Sequence, residues 1–579
     1  MTVPLPTLCH EAIVAGRVDE ADALIGRMLA EKTVNPAHVL ELRVALLVKI
    51  RAYNEALKVI DDLLRLGVAY YGTWFNRGQV LHWLGRFDEA IASYRTALSY
   101  DWNNHLAWMR MGHVNLVLDR WPESLACYER SLALKPGDWE IHMAYACWMQ
   151  MHDQDADAEA QYRTALMLAR GAGWEQAPAA IEEVAFEAEA GLGFVLLRQG
   201  KWDEGWRRFE ARWRMHPHGA PWDFSRPPPW MGKPGDLDGK RVLLHAEQGF
   251  GDTIHFARYA AMVAERASVT YLTAQSPIRR LLATLDVVRD GRVVVEGQDM
   301  PEPEITVSLM SLPAVFGTLP DNVPPPAKFL IKPRKIRPRI GVCWHGGSRP
   351  EDPLAHDDDQ RRSIPWDVFH PIVEAANGGG EDCVISLQED DLREWGCEDW
   401  TDTAAIVAGL DLVITVDTAM AHLAASLGVE TWMFARMGGC WRWGASGERT
   451  PWYPSMTIIR QKRHGDWHGP VAEVVRMLGG TGMIDEIRWP LHKAGLHIDH
   501  NLHRNRHETI ARALDGVGGY PTYDRDGFPD EAEIEKCIAT DSVWTIQWYP
   551  DTPNGFYRVH AATLDRALEH AMKTDRERG

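Results

Sequence analysis

The 579-residue chain is 45% hydrophobic and carries a formal net charge of −19 at pH 7. That length supports several buried cores rather than one, and the acidic balance argues against nucleic acid or an anionic membrane surface as the main partner. The chain has no apolar run of about 18 residues or more and no basic segment followed by an apolar one near Met1, so a soluble, cytoplasmic protein is expected. Eight cysteines, at 9, 127, 147, 343, 383, 397, 440 and 537, include no Cys-x-x-Cys pair and read as reduced thiols. Nothing near Cys343 or Cys440 marks a nucleophile.

An internal repeat opens the chain. Ala90, Tyr94, Ala97 and Leu98 recur as Ser124, Tyr128, Ser131 and Leu132, then as Ala158, Tyr162, Ala165 and Leu166, each 34 residues on. That is the tetratricopeptide period. Trp74 and Gly78 pair with Trp108 and Gly112 at the same spacing, and Pro136 closes the second unit. Ala56, Ile60 and Leu63 fit one unit earlier, while Gly200 to Gly205 with Phe209 fits one later, after an insertion around 171–184. Each unit is a helical hairpin that buries its small and aromatic positions by stacking on its neighbours, so Tyr94, Tyr128 and Tyr162 are read as packing residues. The reading is an α-solenoid over residues 1–216, then a stiff proline-rich connector over 217–239 that contains Arg226-Pro-Pro-Pro-Trp230.

Two strand–turn–helix corners follow. Arg241 to Glu247 reads as a strand, Gln248-Gly249-Phe250-Gly251-Asp252 as a tight turn, and Thr253 to Arg266 as an amphipathic helix. Glycines at 249 and 251 suit close backbone approach or positive φ, and Asp252 places a carboxylate at the helix start. Farther on, the β-branched run Leu412 to Val416 reads as a parallel strand covered on both faces. Asp417 and Thr418 stand where the next helix begins, so unpaired amides and the positive end of the dipole can face an anion. His422 lies four residues after Thr418, on the same face. The plainer alternative makes Asp417 or Thr418 an N-cap and His422 a satisfied helix histidine. Two such corners about 165 residues apart, each heading its own α/β segment, suit two facing Rossmann-like domains.

These residues resemble the GT-B glycosyltransferases, specifically the heptosyltransferase-like (family 9) group and its O-GlcNAc-transferase-like relatives that carry tetratricopeptide repeats. The Gly251-Asp252 turn is similar to that group's Gly-Asp turn. Ile340-Gly-Val-Cys-Trp-His-Gly-Gly347 looks like the strand and glycine loop that opens its second domain. Arg361-Arg362-Ser363-Ile364-Pro365-Trp366 resembles its basic residue ahead of a helix, and Asp417-Thr418 with His422-Leu-Ala-Ala its donor-phosphate corner. Trp441-Arg442-Trp443 with Pro451-Trp452-Tyr453-Pro454 resembles a loop of the repeat-bearing members. The likeness covers roughly residues 40–480. It implies an α-solenoid followed by an α/β GT-B fold, with an N-terminal acceptor domain at 240–330 and a donor domain at 339–484; proline content places a hinge over 320–338, and from about 485, where the resemblance stops, the chain reads as a small α+β appendage to 579. Ala419 replaces the glycine common after Asp-Thr, and the insertion before Arg361 is unusually acidic.

Sugar transfer requires that an acceptor hydroxyl lose a proton and that the departing diphosphate be surrounded by dipoles and cations. By resemblance Asp252 is the base; the alternative is a helix cap. Arg362, with Arg361 as second choice, is the cation for the diphosphate. Gly249, Gly251, Asp417, Thr418, the amides of Ala419 and Met420, and His422 complete the donor site. Trp441, Trp443 and Trp452 can stack on a base or sugar, and can equally be core. The charged stretch 349–362 reads as a mobile loop over a cleft, with Asp357 to Asp359 on a solvated surface. The family implies inversion, a hexosyl- or heptosyl-type donor, and neither a metal nor a cofactor beyond the nucleotide-sugar substrate.

In the tail, Val543 to Tyr549, a turn at 551–555 and Phe556 to His560 read as a hairpin, followed by a helix at about 563–574. His497, His500, His503 and His507 share a helical face and suit either a metal or solvent. Three readings compete: a transferase whose repeats recruit a protein, peptide or glycan acceptor, a repeat scaffold with a degenerate nucleotide-binding module, and another nucleotide-sugar enzyme such as an epimerase.

Overall fold

The 34-residue period folds as paired antiparallel helices. The computed structural model describes residues 3–32, 34–171, 179–214, 230–295, 302–347, 353–377 and 383–479, with the short strands at 547–548 and 557–558. Helices Tyr71–Trp83 and Phe87–Tyr100, His105–Val117 and Trp121–Leu134, and Trp139–Met151 and Asp155–Gly171 are the three hairpins that the sequence marks most strongly. Leu5–Val14, Val18–Glu31 and Pro36–Lys49 extend the helical stack upstream of the earliest unit legible in the sequence. Ala179–Arg198 and Trp202–Phe209 close it. Asn35, Asn104 and Asp138 cap their helices by accepting from the first amides.

Small residues let the helices of a pair approach. A Cβ on Gly78 would lie 2.7 Å from the Tyr94 ring, and one on Gly112 2.9 Å from Tyr128. Tyr94, Tyr128 and Tyr162 are buried, in line with their reading as packing residues. The turns inside the hairpins repeat as well: Arg51, Gly85, Asp119 and Asp153, 34 apart, all take positive φ. Only one of them is glycine, so the hairpins impose the left-handed turn on side chains that resist it.

Parallel sheets follow the solenoid along the chain. In the first, β1 (Arg241–His245) lies between β2 (Val269–Leu272) and β4 (Ile305–Ser308), with β3 (Val293–Val295) outside β2. The pairings are parallel throughout. β5 (Ile340–Cys343) pairs in parallel with β6 (Val384–Ser386). β7 (Leu412–Val416), buried at every position, runs parallel to β8 (Glu430–Ala435), and β8 to β9 (Met456–Arg460). Burial on both faces explains why β7 reads as one apolar run rather than as an alternation.

The chain divides into two compact units, 1–335 with 389–460 and 336–388 with 461–579. The expected donor span 339–484 thus contributes to both. Within the first unit the solenoid is joined to the α/β core by a large buried contact. Trp202 stacks on Trp452 with centroids 5.0 Å apart, and Trp206 meets Trp441 edge-on at 5.1 Å. The Trp206 indole donates to the Thr318 carbonyl at 2.8 Å. Arg212 in the 3₁₀ turn Glu210–Arg214 donates to Glu247 just past β1, at 2.8 and 2.9 Å. Asp153, on its positive-φ turn, pairs with buried Arg198 and accepts from the Gly438 amide at 2.8 Å. The sequence places a connector at 217–239. Of it, residues 230–239 are described; there the Trp230 amide donates to Thr306 of β4 at 2.9 Å and Leu237 is buried.

Three further expectations change. The helix expected over Thr253 to Arg266 is broken into Phe250–Phe256, a 3₁₀ turn Ala257–Tyr259, and Ala260–Ala264. The buried Arg258 side chain donates to the His255 carbonyl at 2.8 Å, taking an acceptor at the break. The stretch read as a mobile loop forms a helix, Pro353–Arg362. Asp359 is buried rather than solvated: it pairs with Arg362 one turn on, and its carbonyl accepts from the Ser363 hydroxyl at 2.6 Å. In the tail, Gln547–Trp548 pairs antiparallel with Tyr557–Arg558, as a hairpin requires. The four histidines at 497–507, the helix at 563–574 and the stretch 215–229 lie outside the described residues.

Gly438 has φ +64, and a Cβ there would sit 2.5 Å from the Met151 carbonyl oxygen. Gly438→Ala should lower the melting temperature, with a loss of more than about 1 kcal/mol. Exposed helical Gly26 has nothing within 4 Å of its Cβ position. Gly26→Ala should instead raise stability by about 0.5–1 kcal/mol, read in the same thermal melts.

Candidate functional site

The two corners found in the sequence meet in the first unit. β1 ends at His245, Gly249 caps the helix Phe250–Phe256, and Asp252 reaches back so that its Oδ2 accepts from the Gly249 amide at 3.1 Å. β7 ends at Val416, and Thr418, in extended backbone, heads the helix Ala419–Ser426. Neither Gly249 nor Gly251 uses positive φ. Gly251 is needed for close approach: a Cβ on it would lie 2.8 Å from the His422 ring and 3.2 Å from the Ala419 Cα. Ala419, standing where the resemblance leads one to expect glycine, is small enough for the two helices to cross there.

Arg442 lies beneath this crossing. Its guanidinium donates to Asp252 Oδ1 at 2.5 Å and to the Cys440 sulfur at 3.1 Å, and stacks over Trp441 at 4.4 Å and Phe256 at 5.0 Å. Burial works against its charge, but Cys440, Asp252 and Asp417 outweigh burial and hold its pKa above the usual arginine value. Asp252 therefore has one oxygen on a backbone amide and the other on a buried cation, while its side chain stays 21% exposed. Asp417, Thr418 and Ala419 are part-exposed and Met420 is buried. The amides of Ala419 and Met420 find no acceptor among the described residues, and the Thr418 side chain makes no capping bond to them. They are two of the first-turn amides that a helix leaves without intrahelical acceptors.

A histidine–tyrosine–histidine bridge ties the helices together one turn below. The Tyr453 hydroxyl lies 2.8 Å from His255 Nδ1 and 3.0 Å from His422 Nδ1. A phenol has one proton, so it donates to one imidazole and accepts from the other, and the two rings take opposite tautomers. Burial, reinforced by Arg258, Arg442 and His422, holds the His255 pKa well below the usual value, so that ring is neutral. His422 is 5% exposed, and its Nδ1 faces Tyr453.

The remaining site residues fall in two places. Trp441, Trp443 and Trp452 are each 2% exposed or less. Trp443 stacks on His422 and Trp452 packs edge-on to His255. The expectation that Trp441 and Trp443 stack on a ligand gives way to packing, since protein covers their faces. Arg361 and Arg362 belong to the second unit. There Arg362 pairs with buried Asp359, and a Cβ on Gly346 would lie 3.1 Å from its Nε. His255 and the Asp252 partner role of Arg442 were missed in the sequence. The signal for Arg442 was an arginine flanked by two tryptophans, which marks a buried, stacked cation. No sequence signal marks His255.

Among the described residues, no three of His, Cys, Asp and Glu gather as a metal site, and none of the seven described cysteines is in a disulfide. No helix among them is long and apolar enough to cross a membrane.

A tetratricopeptide-repeat family model matches residues 71–101, and the chain carries such repeats. It is 24% identical over 452 residues to Protein FlbA of Caulobacter vibrioides, covering 70% of this chain and 72% of that protein. It is 28% identical over 133 residues to Protein O-mannosyl-transferase TMTC1 of Homo sapiens, 22% of this chain but only 15% of that protein. Similar solved structures include a thermophilic tetratricopeptide-repeat protein of Thermus thermophilus, at 22% identity and TM-score 0.27, covering 32% of this chain and 96% of that one. A crystal structure of MamA matches at 14% identity and TM-score 0.26, covering 30% and 99%.

Arg442→Met leaves Asp252 without its cation and should cost about 3 kcal/mol, seen as a lower melting temperature. The neutral His255 sets a sign with pH. Its folded pKa is depressed, so its contribution is present above about pH 6.5, the unfolded value, and is lost as pH falls below it. Wild type should lose stability on acidification below about pH 6.5, and His255→Gln should flatten that slope in melts recorded from about pH 7.5 to 5.

Proposed function

We propose that this protein is a glycosyltransferase of GT-B type, which moves a sugar from a nucleotide-sugar donor to a hydroxyl of a protein, peptide or glycan acceptor recruited by the repeats. The observation that carries the reading is the crossing of the two corners at Gly251 and Ala419, which sets the part-exposed Asp252 carboxylate beside a helix start whose first amides lack acceptors among the described residues. Diphosphate recognition needs donors of that kind, and hydroxyl activation needs a carboxylate near them. The parallel sheets behind the two corners suit a nucleotide site at strand ends. The partial likeness to a protein named as a protein O-mannosyl-transferase is in keeping with sugar transfer.

In this reading the amides of Ala419 and Met420, with Thr418, hold the diphosphate, and Asp417 orients the corner. The acceptor hydroxyl gives its proton to Asp252 as its oxygen bonds to the anomeric carbon. The bond from that carbon to the diphosphate breaks, its electron pair leaves with the nucleoside diphosphate, and configuration inverts. Arg442 aims Asp252 through the hydrogen bond between them. The fit of Asp252 between Arg442 and the Gly249 amide also favours a second reading, a nucleotide-binding repeat scaffold without turnover, in which that carboxylate only caps its helix.

Proline is tolerated in the first helical position, so Ala419→Pro removes one phosphate-facing amide and keeps the helix. Thermal melts against a panel of nucleoside diphosphates and their sugars should show one donor that stabilises wild type, by about 2.7 kcal/mol at a hundred times its dissociation constant. That shift should shrink at least tenfold in apparent affinity in Ala419→Pro. Asp252→Asn should keep binding and lose donor hydrolysis and transfer by roughly 100-fold or more. Binding with no turnover in wild type selects the scaffold, and no binding by any nucleotide removes both readings.

A further inference from the structure

Polar groups gather on one face of the solenoid. Helices Tyr71–Trp83, His105–Val117 and Trp139–Met151 are the first of three successive hairpins, and stacking of such units sets them side by side along a concave surface. On the middle helix Leu106, Arg110 and His113 recur at i, i+4 and i+7, so they share one side of it. On the first helix Phe75 and His82 share a side in the same way, and Met143 on the third holds the place of Phe75 two repeats on. All six are part-exposed, and Phe75, Leu106 and Met143 rest on the buried core from outside.

Arg110 is the charge on this face. Its side chain is 36% exposed, and its ion-pair partner among the described residues, Glu140, stands off at 3.9 Å, beyond hydrogen-bonding reach. Its Nε is buried without an acceptor, so the protein leaves the guanidinium uncommitted. His82 and His113 lie close enough to Arg110 to feel its charge. Burial first, and Arg110 second, hold both imidazoles below their usual pKa, that of His113 at about 3. Both rings are therefore neutral, and each carries one N–H. Neither makes a hydrogen bond among the described residues; His82 packs edge-on to Phe87 and His113 to Tyr128. A cation with two N–H donors beside it, on a part-exposed face, suits an anion. With Glu140 already near Arg110, that single cation is better matched by one carboxylate than by a doubly charged phosphate.

Three helices packed about 8–10 Å apart span about 16–20 Å, the length of about five or six residues of extended chain. A row of that length fits a peptide better than a small molecule. We propose that this face holds an extended peptide segment of a partner protein, one aspartate or glutamate of which is received by Arg110 with His82 and His113, while its apolar side chains lie against Phe75, Leu106 and Met143. The site serves recruitment by the repeats in both readings of the α/β part and does not depend on sugar transfer.

Selection of a phage-displayed library of random heptapeptides on the full chain tests the idea. Enriched peptides should carry an aspartate or glutamate at a fixed place among apolar residues. Synthetic copies should bind wild type, by fluorescence anisotropy, at least tenfold more tightly than versions with asparagine or glutamine at that place. This comparison is made on the unaltered protein, so it reads the site whatever a substitution does to the fold. Arg110→Gln should weaken the acidic peptides tenfold or more. Arg65→Gln, at an exposed arginine on the helix Tyr53–Arg65, should leave them unchanged. No enrichment, enrichment without an acidic position, equal binding of the acidic and amide peptides, or undiminished binding to Arg110→Gln overturns the proposal.

Discussion

The ion pair between Arg442 and Asp252 is the constraint on which the first unit turns. Arg442 comes from the loop after β8, and Asp252 from the first turn of the helix after β1. A buried guanidinium needs both a partner and stacking surface to be tolerated. Trp441 and Phe256 supply the surface, and Asp252 and Cys440 accept its hydrogen bonds. Because the arginine is fixed on all sides, the carboxylate at the helix start is fixed as well. The same loop carries Trp443 onto His422, so one segment positions both corners.

The solenoid is part of this arrangement. Its last helices deliver Trp202 and Trp206 into the aromatic cluster that surrounds Arg442 and Arg258, and its 3₁₀ turn delivers Arg212 to Glu247 at the end of β1. Asp153 shows how closely the repeat and the site are coupled. A left-handed aspartate is a strained choice for a turn, and its side chain reaches both Arg198 and the Gly438 amide. Strain in one repeat turn is offset by bonds to a loop three residues from Trp441.

Much of this was legible in the sequence, for physical reasons that differ by element. The repeats were visible because each hairpin needs a small residue opposite a tyrosine, a demand that recurs every 34 positions at Gly78 with Tyr94 and Gly112 with Tyr128. β7 was visible because burial on both faces leaves a run of apolar and β-branched residues. The corners were visible because glycine, aspartate and threonine at a strand–helix junction have few other uses. Side-chain pairing and packing were not. Asp359 reads as solvated among neighbouring carboxylates until its partner, Arg362, turns out to lie one helical turn away in a helix of low intrinsic hydrophobicity. Trp441 and Trp443 look like ligand platforms because aromatic rings serve cores and ligands alike, and only packing decides. The broken helix near residue 257 depends on where the Arg258 side chain points, and the three solenoid helices before residue 50 carry too few of the period's markers to be phased.

The central claim is that the two corners, held by Arg442 and crossing at Gly251, form one site for a nucleoside diphosphate. Hydrogen–deuterium exchange of the full chain, with and without saturating UDP, GDP and ADP in turn, tests it directly. One nucleotide should slow exchange in peptides covering 417–421 and 248–256 together, with Ala419→Pro reducing the effect in both. Protection confined to peptides elsewhere in the chain, or no protection with any of the three, would contradict the account.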